Sequence, residues 1–252
     1  MAGHSKWANI KHRKGRQDAK RAKFWTKILR EVQVAAKLGG PDPDANPRLR
    51  VSLNDARGHN IPKDTIKRAI DKGAGISGAE DFVELVYEGY AQGGVAMLVE
   101  CLSDNRNRTA ANVRSIFSKA GGNLGAEGSV AYLFNKAGKI WFDADADVDF
   151  DEVMMAALDA GADDAEEEEG TLELSCGPYD LPTLQEGLEQ AGYSASRSEV
   201  MQVPSTTVVA DLATARKVLA LIDKLEDDDD VQRVSSNLEL TAEVASALAA
   251  DS

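Results

Sequence analysis

The spacing of the apolar residues changes along this chain, and the change limits the folds that it can adopt. Up to about residue 75 the apolar residues recur with the period of an α-helix, whereas from Phe82 onward short segments are typical of strands. No apolar run approaches the roughly 20 residues that a membrane-spanning helix needs. The sequence therefore predicts an α+β multidomain protein in which a helical domain precedes domains built on sheets.

The first 75 residues predict a domain of three helices. The first helix is expected over Gln17–Leu38, because two glycines and a proline follow it. Asn46 is expected to cap the second helix, which starts with a proline and ends near Gly58. The third helix is expected over Pro62–Gly73, with its apolar residues on one side.

Two ferredoxin-like α+β domains are predicted beyond residue 75. Residues 136–202 follow the order β-α-β-β-α-β, which is the ferredoxin-like arrangement. Residues 76–135 give only β-β-α-β, with the last strand at Ser129–Phe134, and residues 203–240 give a further strand, helix and strand. The sequence thus predicts a discontinuous domain, 76–135 with 203–240, that holds an inserted domain and precedes a C-terminal tail at 241–252.

The charge of the chain is divided between its two parts. Residues 1–75 contain 18 Lys and Arg against 7 Asp and Glu, a net charge of +11, whereas residues 76–252 carry a net charge of −24. A basic segment of this kind is typical of polyanion binding. The acidic part repels phosphate and leaves sheet surfaces on which a protein partner can bind.

The basic side chains of the first predicted helix fall on one face, and its apolar side chains fall on the opposite face. Rows of Lys and Arg on one face can follow a phosphate backbone, and aromatic rings among them can stack on unpaired bases. A face that only keeps the domain in solution, or that docks on the acidic part of the protein, is the alternative. The predicted contacts in this segment are Lys6, Trp7, Lys11, His12, Arg13, Lys14, Arg16, Lys20, Arg21, Lys23 and Lys27.

Two smaller basic sets extend the predicted interface. Lys63, Lys67 and Arg68 belong to a basic set that also contains Lys72 and has spacings of about one helical turn, although the set also fits a solvated helix face with Asp64 and Asp71 as partners. Arg106 and Arg108 lie in a polar loop between a strand and a helix, where they can reach phosphate. The same loop can instead cap the following helix, and the sequence favours that interpretation.

No set of residues predicts catalysis, a cofactor or a metal ion. The three histidines lack cysteine or carboxylate partners at metal-ligand spacing. The run Asp227–Asp230 is interpreted as an acidic loop between a helix and a strand rather than as a cation site. Cys101 and Cys176 are isolated in the sequence, so neither a disulfide nor a zinc site is expected. The charged start has no apolar stretch of a secretory signal, and a cytoplasmic protein is expected.

Several motifs resemble the YebC/PmpR family. The resemblance rests on Gly3–Lys14, Asn60–Ile66, Val99–Thr109 and Ser129–Phe134 and covers nearly the whole chain. One departure is Ala91-Gln92, where the family commonly has Gly-Pro. The resemblance implies three domains, a helical one and two of ferredoxin-like character, and the discontinuity of one of them. The lack of a transit-like extension favours a bacterial cytoplasmic member of the family.

The resemblance also implies a role in gene expression. Bacterial members are described as DNA-binding transcriptional regulators, and mitochondrial relatives are translational activators. The first hypothesis is therefore a regulator that binds DNA through the basic helical domain. The alternative is a ribosome-associated translation factor that binds ribosomal RNA with the same face, because the basic helix lacks a compact set of base-reading side chains. A protein adaptor whose basic face docks on acidic partners is a third class.

Overall fold

The computed structural model describes residues 18–76, 82–143, 148–168 and 170–250, with side chains described from Lys23 onward. The chain forms two compact units. The described residues up to Leu133, together with those from Pro204 onward, form the first unit, and Phe134–Val203 form the second. Helices and antiparallel sheets occur in the same chain, which confirms the predicted α+β multidomain class.

Three helices open the described part of the first unit, as the sequence predicts: α1 (Asp18–Gly39), α2 (Pro47–Gly58) and α3 (Lys63–Gly73). Asn46 caps α2, because its side-chain oxygen accepts a hydrogen bond from the backbone N–H of Leu49 at 3.1 Å. Its side-chain nitrogen donates to the carbonyl oxygens of Ala35 and Gly40, each at 2.8 Å. One buried amide therefore joins the end of α1 to the start of α2.

Helices α1 and α3 approach each other closely at Gly73. A Cβ atom at this position would lie 2.1 Å from the carbonyl oxygen of Gln33 and 2.9 Å from the Cβ of Ala36, so only glycine fits. The apolar faces of the three helices enclose one core, formed by Ile28, Val32, Ala35, Ala36, Leu49, Leu53, Ala56, Ile61, Ile66 and Ala69.

A sheet follows the helices in the first unit. Its first elements are β1 (Val83–Tyr90), β2 (Ala96–Ser103), α4 (Arg106–Lys119) and β3 (Asn123–Leu124). Strands β1 and β2 form an antiparallel hairpin. The turn between them contains Gly93 and Gly94 at φ values of 76° and 75°, a left-handed conformation that favours glycine.

The strand predicted at Ser129–Phe134 is wrong. The chain forms a 3₁₀ turn at Ala131–Leu133, and the next strand begins at Phe134. The cause lies in β1, where the carboxylate of Glu88 accepts hydrogen bonds from the backbone N–H groups of Val130 at 2.7 Å and Ala131 at 2.8 Å. These donors are therefore not available to a strand ladder.

The second unit alternates strands and helices: β4 (Phe134–Phe142), α5 (Phe150–Asp159), β5 (Asp164–Glu168), β6 (Thr171–Cys176), α6 (Leu181–Gln190) and β7 (Arg197–Pro204). The sheet order is β5-β6-β4-β7, which is the ferredoxin-like order. The last strand starts at Arg197, after a loop that follows α6. The core contains Ile140, Phe142, Val153, Ala157, Leu172, Leu174, Leu181, Leu184 and Leu188.

The chain then returns to the first unit with β8 (Val208–Val209), α7 (Leu212–Glu226), β9 (Val231–Ser236), β10 (Leu238–Glu239) and α8 (Ala242–Ala250). Strand β9 pairs antiparallel with β2 and completes a four-stranded sheet in the order β3-β1-β2-β9. Helices α4 and α7 pack against one face of it. Because a hairpin joins β1 directly to β2, the connections differ from those of the second unit.

Candidate nucleic-acid interface

Three basic side chains of α1 lie against an acidic segment of the same unit. We call Lys23, Lys27 and Arg30 the α1 row; their spacing of four and three residues puts them on one helix face. The segment opposite is the acidic loop, Glu226–Asp230, which comprises the end of α7 and the residues that lead into β9.

Each member of the α1 row donates a hydrogen bond to a backbone carbonyl of the acidic loop. The Nζ of Lys23 lies 3.0 Å from the carbonyl oxygen of Asp227, and the Nζ of Lys27 lies 2.5 Å from that of Glu226. Arg30 donates to the carbonyl oxygen of Asp229. The last carbonyls of a helix lack partners within the helix and carry partial negative charge, so cations at this end are stabilising.

The contact partly withdraws Lys27 from water. Burial lowers the pKa of Lys27, although the carboxylates of Glu226, Asp229, Asp228 and Asp227 act in the opposite direction. The ammonium group of Lys27 therefore already lies in an oxygen-lined site within the protein.

Asp230 is the buried centre of this contact, with 3% of its surface exposed. Its carboxylate accepts hydrogen bonds from Arg30 of α1 at 3.2 Å and from Thr109 of α4 at 2.8 Å. The hydroxyl of Ser103, at the end of β2, donates to the same carboxylate at 3.2 Å. Burial acts to raise the pKa of Asp230, but the hydrogen bonds from Arg108, Thr109 and Ser103 outweigh it and lower the pKa. One carboxylate thus joins α1, α4 and β2.

Arg108, a predicted nucleic-acid contact, also binds Asp230. Its Nη2 lies 2.7 Å from the carboxylate of Asp230 and 2.7 Å from that of Asp104, and these hydrogen bonds raise the pKa of the guanidinium. Asn105 caps α4 by accepting the backbone N–H of Arg108 at 3.1 Å. The loop therefore caps the helix, which is the interpretation that the sequence favours. Arg106 is exposed in the first turn of α4.

The basic residues of α3 have a different environment. Lys63, Lys67 and Arg68, here called the α3 row, are exposed, whereas Ile66 and Ala69 on the other side of the helix are buried. Arg68 donates from Nε to the carbonyl oxygen of Asp64 at 3.2 Å. Lys63 and Lys67 make no hydrogen bond or ion pair with the residues that the structure describes. The α3 row therefore presents its charges to solvent.

The other predicted contacts lie outside what the structure describes. Lys20 and Arg21 belong to α1, but their side chains are not among those described. The remaining residues precede residue 18 and lie outside the described ranges; they are Lys6, Trp7, Lys11, His12, Arg13, Lys14 and Arg16.

Asp230 and Arg30 are the important residues that the predicted interface lacks. Asp230 ends a run of four aspartates, and the run is typical of a solvated loop. One sequence feature indicates that Asp230 is buried. It directly precedes Val231, where the apolar strand β9 begins and enters the core. Arg30 continues the basic face of α1 by one turn, so the helical period does indicate it.

Metal-binding clusters and membrane-spanning helices are both absent from the part of the chain that the structure describes. Within those ranges, no three His, Cys, Asp or Glu side chains come together in a way that could hold a metal ion. Among the same residues, no helix has the length and apolar character needed to cross a membrane.

Comparison with known proteins identifies the family. Residues 5–76 match the model of the TACO1/YebC protein N-terminal domain, and residues 82–238 match that of the TACO1/YebC second and third domain. The chain belongs to the TACO1/YebC family. The resemblance found in the sequence motifs is thereby confirmed.

Relatives match over nearly their full length. A protein of Treponema denticola is 54% identical, with 95% of this chain and 97% of the relative covered. One of Pseudomonas fluorescens is also 54% identical, with 98% and 100% covered. Both are named "probable transcriptional regulatory protein". The crystal structure of a conserved hypothetical protein from Aquifex aeolicus, 44% identical, superposes with a TM-score of 0.82 over 89% of this chain and 92% of that one.

Proposed function

We propose that this TACO1/YebC protein is a transcriptional regulator that binds DNA through its basic helical domain. The observation that carries the proposal is the α3 row, Lys63, Lys67 and Arg68, whose charges face solvent while the other side of the helix is buried. The relatives named as probable transcriptional regulatory proteins support the regulatory part of the proposal.

The α3 row suits contacts with a phosphate backbone. Lys63 and Lys67 are one helical turn apart and Arg68 is next to Lys67, so the three cations can contact neighbouring phosphates of a strand and release counterions. They belong to the segment of 75 residues with a net charge of +11. The basic residues before Asp18 would extend the same positive potential, which raises the rate and the strength of association with a polyanion.

An aromatic pair beside the α1 row adds a surface for bases. The ring of Phe24 is 45% exposed and lies 4.6 Å from the ring of His59, centroid to centroid. An exposed ring of this kind can stack on an unpaired base, and such stacking depends little on which base is present. The domain therefore combines backbone contacts with stacking, and we expect weak dependence of affinity on base sequence.

The experiment compares wild type with K63E/K67E/R68E in titrations of a fluorescently labelled DNA duplex. Three reversed charges in the phosphate path should weaken binding by at least about 30-fold, roughly 2 kcal/mol. The control, K119E/K136E/K217E, makes the same change of charge with exposed lysines of α4, β4 and α7. Equal binding by both variants would contradict the proposal.

A parallel titration with a structured RNA decides between the two polymers. Binding of RNA that is much tighter than binding of DNA, and that is lost in K63E/K67E/R68E, would replace the transcriptional role by a role in translation. Crosslinking in cells with sequencing of the bound nucleic acid, for wild type and K11E/R13E/K14E/R16E, provides the matching test in vivo. DNA reads that are lost in that variant are the expected result, and ribosomal RNA reads that are lost in it would contradict the proposal.

A further inference from the structure

We propose that the acidic loop, Glu226–Asp230, is an internal competitor for nucleic acid at the α1 row. This inference rests on the proposed function, because it concerns the regulation of the same basic domain. A polyanion that contacts Lys23 and Lys27 must first displace their bonds to the loop, so the acidic loop partly sets the affinity of the protein for nucleic acid.

The loop presents the features by which cations recognise a phosphate backbone. Each cation of the α1 row donates to a carbonyl oxygen of the loop: Lys23 to that of Asp227, Lys27 to that of Glu226 and Arg30 to that of Asp229. Five consecutive acidic side chains accompany them. Closely spaced oxygens with a high negative charge are the groups that lysine and arginine rows bind in nucleic acids.

The contact has a permanent part and an exchangeable part. Asp230 is buried and bonded to α1, α4 and β2, so it holds the loop in place. Asp227 and Asp229 are exposed, as is Lys23. Contacts between exposed charges contribute little to stability and weaken as salt rises. A polyanion of higher charge density can therefore replace the exposed part while Asp230 stays in position.

The critical variant is E226Q/D227N/D229N. It removes three negative charges from the loop and keeps the carbonyl oxygens, Asp230 and also Asp228, whose carboxylate accepts the backbone N–H of Asp230 at 2.9 Å. The matched control is D159N/D163N/E167Q, which removes the same number and types of charge from exposed positions in the second unit. Both variants change the net charge of the protein equally, so any difference between them is local.

Titrations of the labelled DNA duplex at a series of salt concentrations give the readout. The loop variant should bind about 5- to 30-fold more tightly than the control variant, and its plot of log affinity against log salt should be steeper by up to about two phosphate contacts, one for each lysine, since each contact adds about 0.9 to the slope. Thermal unfolding of the three proteins shows whether the loop variant keeps its fold.

A second variant identifies the route of the effect. Adding K23Q/K27Q to the loop variant should remove most of its gain in DNA affinity, because displacement of the loop then exposes no lysine at positions 23 and 27. A gain that persists in this combined variant would mean that the loop acts by general repulsion, and it would overturn the competition.

The result separates the two proposals. If wild type binds DNA and the loop variant binds no better than D159N/D163N/E167Q, the competition is wrong and the proposed function stands. If neither wild type nor the loop variant binds DNA or RNA, both proposals fail. If only the loop variant binds, the α1 row is fully occupied in the wild-type protein, which is the strongest form of the inference.

Discussion

The α1 row and the α3 row look alike in the sequence and differ in the folded protein. Both place three cations within about two turns of a helix of the same basic domain. The α1 row donates its hydrogen bonds to the acidic loop, whereas Lys63 and Lys67 of the α3 row face solvent. The formal charge of a segment is therefore a poor measure of the charge that it offers to a ligand.

The difference comes from what the fold places opposite each helix. The end of α7, with carbonyls that lack partners within the helix and with acidic side chains, lies against α1. Burial of Ile66 and Ala69 orients α3 so that its basic side points outward. A test of this comparison should change stability through one row and binding through the other.

The largest effect is expected at the centre of the α1 contact. Asp230→Ala should lower the free energy of unfolding by about 2 to 3 kcal/mol, because it leaves Arg30 and Arg108 without their shared carboxylate. The loss is smaller than the roughly 3 to 5 kcal/mol expected when a fully buried ion pair loses one partner, because Arg108 is exposed to water. Chemical denaturation of both proteins measures the difference. A loss below about 1 kcal/mol would show that the carbonyl contacts alone hold α1.

A smaller effect on stability is expected for substitutions in the α1 row, and almost none for the same substitutions in the α3 row. K23E/K27E should lower the free energy of unfolding by about 1 kcal/mol, because two carboxylates then face the acidic loop. K63E/K67E should change it by less than about 0.5 kcal/mol, as exposed substitutions usually do. Both are measured by urea unfolding. Equal losses of stability in the two variants would remove the distinction between the rows.

The smallest effect concerns alkaline pH. The pKa of Lys27 is lower in the folded protein than its usual value of 10.5. Between the pKa of the folded state and that of the unfolded state, the unfolded chain therefore binds more protons than the folded protein. Stability from this group must therefore rise as the pH increases through that interval. Lys27→Met should abolish this rise, measured as the difference between the two proteins in unfolding free energy against pH. Lys67→Met, at an exposed position, is the control and should leave the profile unchanged.

Local sequence patterns are sufficient to predict most of the helices. The apolar period predicts α1, α2 and α3, and Asn46 is found as the cap that its position before Pro47 predicts. The order of strands and helices also predicts the ferredoxin-like sheet of the second unit. These features depend on residues that are close in sequence, so a single chain contains enough information to find them.

The errors arise where a distant group satisfies the backbone or a charge. The alternation at Ser129–Phe134 is typical of a strand, yet Glu88, about forty residues earlier, takes the N–H groups of Val130 and Ala131. Asp230 looks like part of a solvated run until β9 pairs with β2 and brings it to Arg108. The α1 contact depends on the same long-range pairing. The sequence alone therefore gives docking of the basic face on the acidic part of the protein only as an alternative to nucleic-acid binding.

The pairing of β2 with β9 has a consequence for the order in which the protein forms during synthesis. Strand β2 leaves the ribosome about 130 residues before β9, and the whole second unit is made in between. Because domains tend to fold as they emerge, Phe134–Val203 can complete its own sheet while β2 still has an unpaired edge. Until the last strand arrives, the nascent chain carries a free basic row and an open β-edge, and this interval is when it is most exposed to aggregation or to premature capture by nucleic acid.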